Sequence, residues 1–385
     1  MRFRDALAGP GLGAIAEIKR RSPSLGDIRP DADPARIARD YAAAGAAAVS
    51  VLVDERFGGS WDDLRAARAT TGVPLLAKGF FSTVDHLRAA KEAGADAALL
   101  LLRDLDDETT RALMRSAEEF GLDTLVEAHD GDELERAVVL GAPVIGVNAR
   151  DLSTFEIDRD TQLELVARIP PGRIAVAESG IRTRAQGAAA ELAGADAILV
   201  GSTLMQAPDP AAKLAHLLRR PLVKVCGLTR EEDVAVAAEA GADLAGFVLA
   251  PESPRAAADV LPVPDELLAV AVWVGQAGTS GAPIDQVHER QEGRVRGRNG
   301  VLLREGEQVA RLLDLPWEEH DPAHWEHAAA EQGRIILAGR LAADNVASAI
   351  ERVRPWAVDA SSRLESAPGI KDPELVRAYV EAARA

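Results

Sequence analysis

The stretch PLLAKGFFSTVDHLRAAKEAGADAALLLL (74–102) contains the unit from which the first half of the chain is built. An apolar run ends at Lys78, an amphipathic run begins after Thr83 and closes at Gly94, and a second apolar run follows. Thr is common just before the first turn of a helix, and Gly is common just after the last. Short apolar runs between such turns are typical of strands in a parallel sheet. The stretch therefore predicts a strand, a helix and a second strand.

Eight units of this kind occur before residue 220, at a spacing of roughly 25 residues. Their predicted strands are AIAEIK (14–19), AVSVLV (48–53), PLLAKGF (74–80), AALLLL (97–102), DTLVEA (123–128), VIGVN (144–148), RIAVAES (173–179) and AILVGS (197–202). Eight near-equal units favour a closed (βα)8 barrel over a doubly wound open sheet, which does not require that number.

The pattern restarts after LLRRPLVKV (217–225), where a proline marks the join. We therefore divide the chain into two domains, residues 1–220 and 221–385. The second domain has only 165 residues, and six or seven strands can be counted in it, with no clear pattern between residues 276 and 333. The predicted fold class is α/β, with two TIM-type (βα)8 barrels in tandem. We expect the second barrel to be shortened or incomplete, with one strand cryptic or lost.

The composition excludes several classes of function. The chain has 44 Lys and Arg against 61 Asp and Glu, a net charge of −17, which disfavours nucleic acid as a partner because phosphate backbones require a basic surface. A single cysteine, Cys226, excludes an intramolecular disulfide and a cysteine-rich metal site. No apolar stretch has the length of a membrane span. We expect a cytoplasmic protein with no membrane partner, no metal and no cofactor.

Polar residues stand at the carboxyl ends of the predicted strands, where the active sites of such barrels lie. The set comprises Glu17, Lys19, Lys78, Glu127, Asn148, Glu178 and Ser179. Glu17 and Lys19 are two residues apart on one strand and therefore face the same side. Lysine is rare in this chain, at six of the 44 cations, and unlike arginine it can release its proton. Lysines that face carboxylates on one rim indicate acid–base catalysis on a carbonyl or hydroxyl group.

Small residues follow the last two strands of the first domain, in ESGIR (178–182) and VGSTLM (200–205). At such turns, backbone N–H groups can approach an anion at the start of a helix. The last two strand ends are also the usual phosphate site of these barrels. The two segments therefore predict a site for a phosphorylated small molecule.

Motifs along the whole first half resemble those of the indole-3-glycerol phosphate synthase family. They are AEIKRRSPSLG (16–26), VLVDERFGGS (51–60), LLAKGF (75–80), LVEA (125–128), GVNARDL (146–152) and AESGI (177–181). In tryptophan biosynthesis this family closes the ring of 1-(2-carboxyphenylamino)-1-deoxyribulose 5-phosphate, with loss of CO2 and water and without a cofactor. The resemblance implies the same carboxy-lyase reaction for the first domain.

The resemblance also implies roles for individual residues. Lys78 would be the general acid at the substrate carbonyl, and Glu127 would be its acid–base partner. Glu17 and Lys19 would assist the dehydration and hold the substrate carboxylate or phosphate. The rest of the polar floor would be Asn148, Glu178 and Ser179. The residues near the phosphate would be Ser22, Gly180, Gly201 and Ser202, and those around the anthranilate ring would be Pro23, Phe57, Phe80 and Arg150.

Two features depart from the family pattern. The family has Lys-Asp-Phe at the end of the third strand, whereas this chain has Lys-Gly-Phe, so Gly79 stands in place of a carboxylate. The family also carries a helical extension before the first strand, and this chain begins almost at that strand. We expect both departures to affect the efficiency of the reaction rather than its class.

The second half resembles phosphoribosylanthranilate isomerase, which acts just before the synthase in the same pathway and is fused to it in some bacteria. The matching segments are KVCGLT (224–229), SPR (253–255), ILAGRLAADNV (336–346) and VDASSRLESAPGIKD (358–372). Cys226 falls where that family has its general base. Lys224 faces the same side of the strand, and its charge is expected to lower the thiol pKa. Substrate contacts are implied for Arg255, Gly339, Asp359 and Ser361.

The isomerase pattern has gaps. The family's general-acid aspartate at the end of strand six has no aligned counterpart. Asp321 is the local candidate, although Asp321-Pro322 fits the start of a helix equally well. LLREG (302–306) stands in place of a Gln-Leu-His-Gly segment, and Gly339-Arg340 stands in place of a double glycine.

Two functions therefore stay open for the second domain. It is a working isomerase that uses Cys226 and Asp321, or it is a degenerate barrel kept for stability or interaction. For the whole chain we predict an enzyme that binds phosphorylated anthranilate-sugar substrates and acts as a monomer. A non-enzymatic binding protein is disfavoured because the strand ends carry a full set of acids and bases.

Overall fold

A computed structural model describes residues 2–22, 25–151, 154–291, 297–316 and 319–385. The chain divides into two compact units, Met1–Arg182 with Gly187–Leu218 and Thr183–Gln186 with Arg219–Ala385. Each unit has its own buried hydrophobic core, built largely from Ala, Val, Leu and Ile. None of the helices described is long and apolar enough to cross a membrane.

The first unit is a closed barrel of eight parallel strands, which confirms the fold that the eight sequence units predict. The strands are β1 (Gly13–Ile18), β2 (Ala48–Leu52), β3 (Leu75–Lys78), β4 (Ala97–Leu101), β5 (Asp123–Ala128), β6 (Val144–Asn148), β7 (Ile174–Glu178) and β8 (Ala197–Val200). They pair in chain order, and β8 closes the barrel onto β1 with Gly13 opposite Ala197. The alternative of an open doubly wound sheet is therefore wrong.

Helices lie before, between and after these strands. They are α1 (Phe3–Leu7), α2 (Pro34–Ala43), α3 (Trp61–Arg68), α4 (Val84–Glu92), α5 (Asp107–Glu119), α6 (Gly131–Leu140), α7 (Arg159–Ala167), α8 (Arg184–Leu192), α9 (Ser202–Gln206) and α10 (Pro210–Leu218). Asp33, Ser60 and Thr83 each accept a hydrogen bond from a backbone N–H group in the first turn of the next helix. These caps fix where the helices begin, and so they also fix the length of the loops above the strand ends.

Side chains alternate between the inside and the outside of the barrel along each strand. Ile15 on β1 and Val176 on β7 belong to the apolar interior layer. Two residues further along the same strands, the next inward positions hold Glu17 and Glu178, both buried. The apolar layer thus lies directly beneath a polar layer at the carboxyl ends of the strands.

The opposite end of the barrel is closed by α1. Phe3 and Leu7 are fully buried and pack on the apolar interior layer. The Arg2 guanidinium pairs with the buried Asp123 carboxylate at 2.6 Å, and the Arg4 backbone N–H donates to the same carboxylate at 3.1 Å. This short helix therefore seals the amino ends of the strands.

The second unit is also a closed barrel of eight strands. They are β9 (Leu222–Cys226), β10 (Leu244–Val248), β11 (Leu268–Val274), β12 (Ile284–His288), β13 (Asn299–Arg304), β14 (Glu307–Leu313), β15 (Ile335–Leu337) and β16 (Ala357–Ala360). The count of six or seven strands is therefore wrong, and no strand is lost. β13 runs antiparallel to both of its neighbours, so the region without a clear pattern is a meander that includes a reversed strand.

The second barrel is shortened because, in the part of the chain that the structure describes, helices are missing between several of its strands. Its helices are α11 (Glu231–Ala240), α12 (His324–Ala329), α13 (Val346–Val353) and α14 (Pro373–Ala382). Among the described residues, none between β10 and β14 is helical, whereas a complete (βα)8 barrel has a helix after each strand. A two-residue turn at Glu305 and Gly306, both with positive φ, joins β13 to β14, as tight hairpins require.

A Gly-Ala-Asp sequence recurs where a helix leads into a strand, at residues 94–96, 194–196 and 241–243. Each glycine has a positive φ, as residues that end helices often do. Each aspartate carboxylate accepts, at 2.8 Å, a backbone N–H group near the beginning of the preceding strand. The donors are Leu75, Ala175 and Val223. The repeated motif thus ties neighbouring strands together at the amino end of each barrel.

Asp243→Ala is expected to lower the free energy of unfolding of the second unit by about 1–3 kcal/mol. The substitution leaves the Val223 N–H group without its acceptor and removes the carboxylate that pairs with Arg384. Urea unfolding followed by tryptophan fluorescence would measure the change. Glu239→Ala, at a side chain that is 70% exposed, is the control and should change stability by less than about 0.5 kcal/mol. Equal effects of the two substitutions would contradict the role given to Asp243.

Candidate active site

Five charged side chains of the first barrel meet at the carboxyl ends of its strands. Lys78 Nζ lies 2.8 Å from Glu178 Oε2, 3.5 Å from Glu17 Oε2 and 3.7 Å from Glu127 Oε2. Lys19 Nζ lies 2.9 Å from Glu17 Oε1. The structure therefore brings together the two lysines and three carboxylates that the strand ends predict.

Two glycines make room for the carboxylates. A Cβ atom at Gly146 would lie 2.0 Å from Glu178 Oε1, and one at Gly201 would lie 2.1 Å from Glu17 Oε1. Any side chain at these positions would displace the carboxylate beside it. Gly201, which the family resemblance assigns to the phosphate, makes room for the Glu17 carboxylate, and its contact with a phosphate stays a prediction.

The electrostatics of the cluster follow from its burial. Burial alone would lower the pKa of the Lys78 ammonium group, but the surrounding carboxylates raise it well above the ordinary value. Burial and the like charge of Glu127 raise the pKa of Glu178 to about 8. Glu17 keeps a low pKa despite its burial because Lys19 and Lys78 stabilise the carboxylate. The cluster thus places a charged ammonium group beside Glu178, a carboxyl group that can exchange a proton near neutral pH, as a general acid or base does.

Hydrogen bonds fix the Glu127 carboxylate and the loop next to it. Asn148 Nδ2 donates to Glu127 Oε1 at 2.8 Å. Asn148 Oδ1 accepts the Arg150 backbone N–H at 3.0 Å, and the Arg150 guanidinium donates to the Phe155 carbonyl at 3.1 Å. Arg150 is therefore tied to Asn148 at the end of β6, and its place beside the substrate ring stays a prediction.

His129 is a site residue that the sequence analysis missed. Its Nε2 atom lies 3.2 Å from Glu127 Oε1, and its Nδ1 atom lies 3.1 Å from Glu133 Oε2. Burial alone would lower the pKa of His129, but the two carboxylates raise it to about 10. The signal was in the sequence, since His129 follows Glu127 by two positions, the same spacing that pairs Lys19 with Glu17.

Two aromatic rings stack on each other in the loops that follow β2 and β3. The centroids of Phe57 and Phe80 are 6.3 Å apart with an angle of 17° between the planes, and Phe80 is 39% exposed. The guanidinium carbon of Arg56 lies 3.8 Å from the Phe80 ring centroid. An exposed aromatic surface beside a cation suits an aromatic acid. The placement of the substrate ring against Phe57 and Phe80 stays a prediction.

The structure gives a packing reason for Gly79. A Cβ atom at this buried position would lie 2.8 Å from Cε1 of Phe81, and Phe81 stacks on Trp61 with centroids 5.8 Å apart. Phe81 therefore occupies the space that a larger residue would need. The aspartate of the family pattern would fit here only if Phe81 moved.

The turns predicted to hold phosphate follow β7 and β8. Ser179 and Gly180 have φ angles of 69° and 72°, and a positive φ is unusual for a serine. Gly201 precedes the first turn of α9, and Ser202 is the first residue of that helix. The position of a phosphate at these turns stays a prediction.

Ser22 lies in a two-residue strand, Arg21–Ser22, that pairs with Gly26–Asp27 after β1. Its side chain is buried, and its Oγ atom accepts the Leu25 backbone N–H at 3.1 Å. Pro23, predicted to pack on the substrate ring, lies outside the described residues.

The second barrel contains a cavity of about 200 Å³. Its lining includes all but one of the residues that the isomerase resemblance implies: Cys226, Arg255, Gly339, Asp359 and Ser361. The Lys224 side chain is fully buried, and its Nζ atom donates to Asp359 Oδ2 and to Gln286 Oε1, both at 2.8 Å. The structure thus brings together residues from both ends of this half of the chain.

The exception is Asp321, which lines an adjoining cavity instead. Its carboxylate pairs with Arg298 at 2.8 Å and accepts the Ala323 backbone N–H at 2.9 Å, as a residue at the start of a helical turn does. Asp314, by contrast, directly follows β14, the sixth strand of this barrel. It is buried and lines the same cavity as Cys226. Asp314 therefore replaces Asp321 as the candidate acid.

The Gln-x-His pattern of the family is also present. Gln286 and His288 on β12 both line the cavity, and Gln286 Nε2 lies 3.0 Å from His288 Nε2. The assignment of LLREG (302–306) to this place is wrong, because these residues form the end of β13 and the hairpin turn after it. The reversed strand caused the error. The prediction assumed that each strand is followed by a helix, and β12 was therefore not recognised as the strand that carries the motif.

The Cys226 thiol is not activated in the way the sequence predicts. Burial raises its pKa, and the charge of Lys224 offsets this only in part. Arg255, for which the resemblance implies a substrate contact, has its Nε atom 2.9 and 3.0 Å from the two Glu365 oxygens. Glu365 in turn pairs with Lys371 at 2.8 Å.

Within the described ranges, no group of three or more His, Cys, Asp or Glu side chains is arranged to hold a metal ion.

Comparison with known proteins separates the two halves. The family model for indole-3-glycerol phosphate synthase matches residues 1–217, and that for N-(5'phosphoribosyl)anthranilate (PRA) isomerase matches residues 323–382. The chain is 48% identical over 214 residues to an indole-3-glycerol phosphate synthase of Streptomyces griseus subsp. griseus, covering 55% of this chain and 80% of the relative. It is 50% identical over 208 residues to that of a Nocardioides species, covering 54% and 80%. The crystal structure of phosphoribosyl anthranilate isomerase from Thermus thermophilus is 28% identical, with a TM-score of 0.35, and covers 42% of this chain and 97% of that chain.

Gly146→Ala is expected to lower the free energy of unfolding by about 1–3 kcal/mol. The new methyl group would occupy the position of Glu178 Oε1 and separate that carboxylate from Lys78. Thermal denaturation would measure the loss. Gly72→Ala is the matched control, since a Cβ atom there has no heavy atom within 4 Å. If both variants unfold at the same temperature as the parent chain, Glu178 is not confined by Gly146.

Proposed function

The chain belongs to the indole-3-glycerol phosphate synthase family through residues 1–217, and we propose that its first barrel catalyses the reaction of that family. The substrate is 1-(2-carboxyphenylamino)-1-deoxyribulose 5-phosphate, and the products are indole-3-glycerol phosphate, CO2 and water. The observation that carries the proposal is one partly buried ammonium group, Lys78 Nζ, within 3.7 Å of three buried carboxylates at the carboxyl end of the barrel.

Ring closure requires an acid. The aromatic carbon that bears the carboxylate attacks the ketone carbon, and the ketone oxygen takes up a proton to become a hydroxyl group. Lys78 supplies this proton, and Glu178, at 2.8 Å from Nζ and able to hold a proton near neutral pH, returns one to the amine. Loss of CO2 from the attacking carbon then restores the aromatic ring.

Dehydration requires an acid at the new hydroxyl group and a base for the proton that leaves the five-membered ring. Lys19, paired with Glu17 at 2.9 Å, is the proposed acid in this step. Glu127 is the proposed base, because its Oε1 atom is fixed by Asn148 and its other oxygen is left for the substrate.

The proposal also places the two ends of the substrate. The anthranilate ring lies against Phe57 and Phe80, beside Arg150. The phosphate binds at the turns that follow the last two strands, with Ser22 on the facing loop. The turn residues are Ser179, Gly180, Gly201 and Ser202.

Lys78→Arg is expected to leave the fold intact and to lower kcat for indole-3-glycerol phosphate formation by ~10²–10⁴-fold. Arginine keeps the positive charge among the carboxylates but does not release a proton at neutral pH. Steady-state kinetics together with thermal unfolding would separate lost catalysis from lost stability. Lys91→Arg, on the exposed face of α4, is the control. Near-native turnover by the Lys78 variant would remove this residue from the mechanism.

For the second barrel we propose phosphoribosylanthranilate isomerase activity. The observation that favours it over a degenerate barrel is that Asp314 lines the same cavity as Cys226. The reaction opens an aminated ribose ring, so it needs a base for the C2 proton and an acid for the ring oxygen. Cys226 and Asp314 are the proposed pair, and Arg255 and Gly339 contact the ends of the substrate.

Asp314→Asn and Cys226→Ser are each expected to lower isomerase turnover by at least ~10²-fold, since each removes one of the two proton-transfer groups. Asp321→Asn is the control and should change little, because Asn caps a helical turn about as well as Asp. Assays of both reactions on each variant would test this, with synthase turnover unchanged throughout. Isomerase activity absent from the parent chain would instead favour the degenerate barrel, and a loss in Asp321→Asn alone would restore Asp321 as the acid.

A further inference from the structure

His129 lies between two carboxylates that come from different elements. Glu127 is on β5, and Glu133 is in the first turn of α6. The two ring nitrogens lie 3.2 and 3.1 Å from oxygens of these residues. The backbone N–H of His129 also donates to Glu133 Oε2 at 2.8 Å, which holds the residue in place above the strand end.

This arrangement determines the protonation of the ring. A neutral imidazole has one nitrogen that donates and one with a bare lone pair. Either tautomer would therefore place a lone pair against a carboxylate oxygen of Glu127 or Glu133. Only the imidazolium form places a positive charge between the two carboxylates: its Nδ1–H group donates to Glu133, while Nε2 makes a charge contact with Glu127 Oε1 at 3.2 Å without an aligned hydrogen bond. The low solvent exposure of the ring, 14% of the side chain, strengthens both interactions.

The two carboxylate oxygens of Glu127 have different surroundings. Oε1 accepts from Asn148 Nδ2 at 2.8 Å and lies beside the His129 ring. Oε2 is buried, has no hydrogen-bond partner among the described residues, and lies 3.7 Å from Lys78 Nζ. The carboxylate is therefore held by one oxygen, which leaves the other directed toward the reacting groups.

We propose that His129 is a positioning residue of the first barrel: a permanently charged imidazolium beside Oε1 of Glu127 that keeps the Glu127 carboxylate ionised and its Oε2 atom available to the substrate. This inference rests on the proposed synthase function of the same site. The residue does not touch the reacting atoms and acts through Glu127. Glu133 is needed because it balances the imidazolium from the helix side.

The charged groups around this pair come from four strands and a helix. Glu17, Glu127, Glu178 and Glu133 are acidic, and Lys19 and Lys78 are basic. The acidic groups outnumber the basic ones, so the positive charge of His129 stabilises the cluster. Its loss should raise the pKa of Glu127, because an opposite charge at this distance lowers a carboxyl pKa by ~1–3 units.

The protonation state can be measured without any assay of turnover. The ¹⁵N spectrum of the full chain labelled in histidine should show two protonated ring nitrogens for His129 up to about pH 9, since the two carboxylates raise its pKa to about 10. His129→Gln assigns the signal by its disappearance. Glu133→Gln should make the ring lose its proton at lower pH, whereas Glu135→Gln, at a side chain that is 75% exposed, should not. A neutral His129 ring at pH 7 in the parent chain would overturn the proposal.

Kinetics of the same variants test the consequence for Glu127. His129→Gln should lower kcat for indole-3-glycerol phosphate formation by ~10²-fold, the loss expected for a misplaced group, with a smaller change in KM. The acidic limb of its kcat/KM profile should move to higher pH by ~1–3 units. An unmoved limb, with only a lower unfolding temperature, would show a structural role and overturn the proposal. A parent chain without synthase activity would refute the proposed function, while the ring protonation would still be decided by the spectrum.

Discussion

The burial of three carboxylates around one ammonium group is the constraint on which the first barrel depends. Charges removed from water are costly unless each is paired or neutralised. Lys78 approaches only Glu178 closely, at 2.8 Å, so the other carboxylates need further partners. Lys19 neutralises Glu17, and Glu178 itself has a pKa raised to about 8. The cluster is therefore balanced as a set, and removal of one member leaves the others uncompensated.

Much of the first barrel could be predicted from the sequence because its signals are local. The alternation of side chains along a strand and the helix boundaries around it place Glu17, Lys78 and Glu178 on one rim without any knowledge of tertiary contacts. The packing of individual side chains against one another could not be predicted from the sequence. That Gly146 makes room for Glu178 depends on which atoms of two neighbouring strands approach each other, and no pattern within one strand contains that information.

The second barrel shows where such reasoning fails. The prediction assumed that each strand is followed by a helix, and β13 breaks that rule by running backwards between its neighbours. With strands miscounted, Asp321 was chosen by its nearness in sequence to an expected position. Asp314 was overlooked although it directly follows a strand. The motif around Gln286 was overlooked for the same reason, since the strand that carries it was not recognised.

The reversed strand also affects the order in which the second barrel can assemble. β12, β13 and β14 pair as a meander, and the turn between the last two has only two residues, so their contacts are close in the sequence. Closing short loops costs less chain entropy than closing long ones, and proteins rich in local contacts fold faster. Pairing of β9 with β16, by contrast, joins residues such as Leu222 and Ala357 from opposite ends of the domain. The meander is therefore the part of this barrel in which the folding nucleus is expected, with closure of the barrel as the late and slow event.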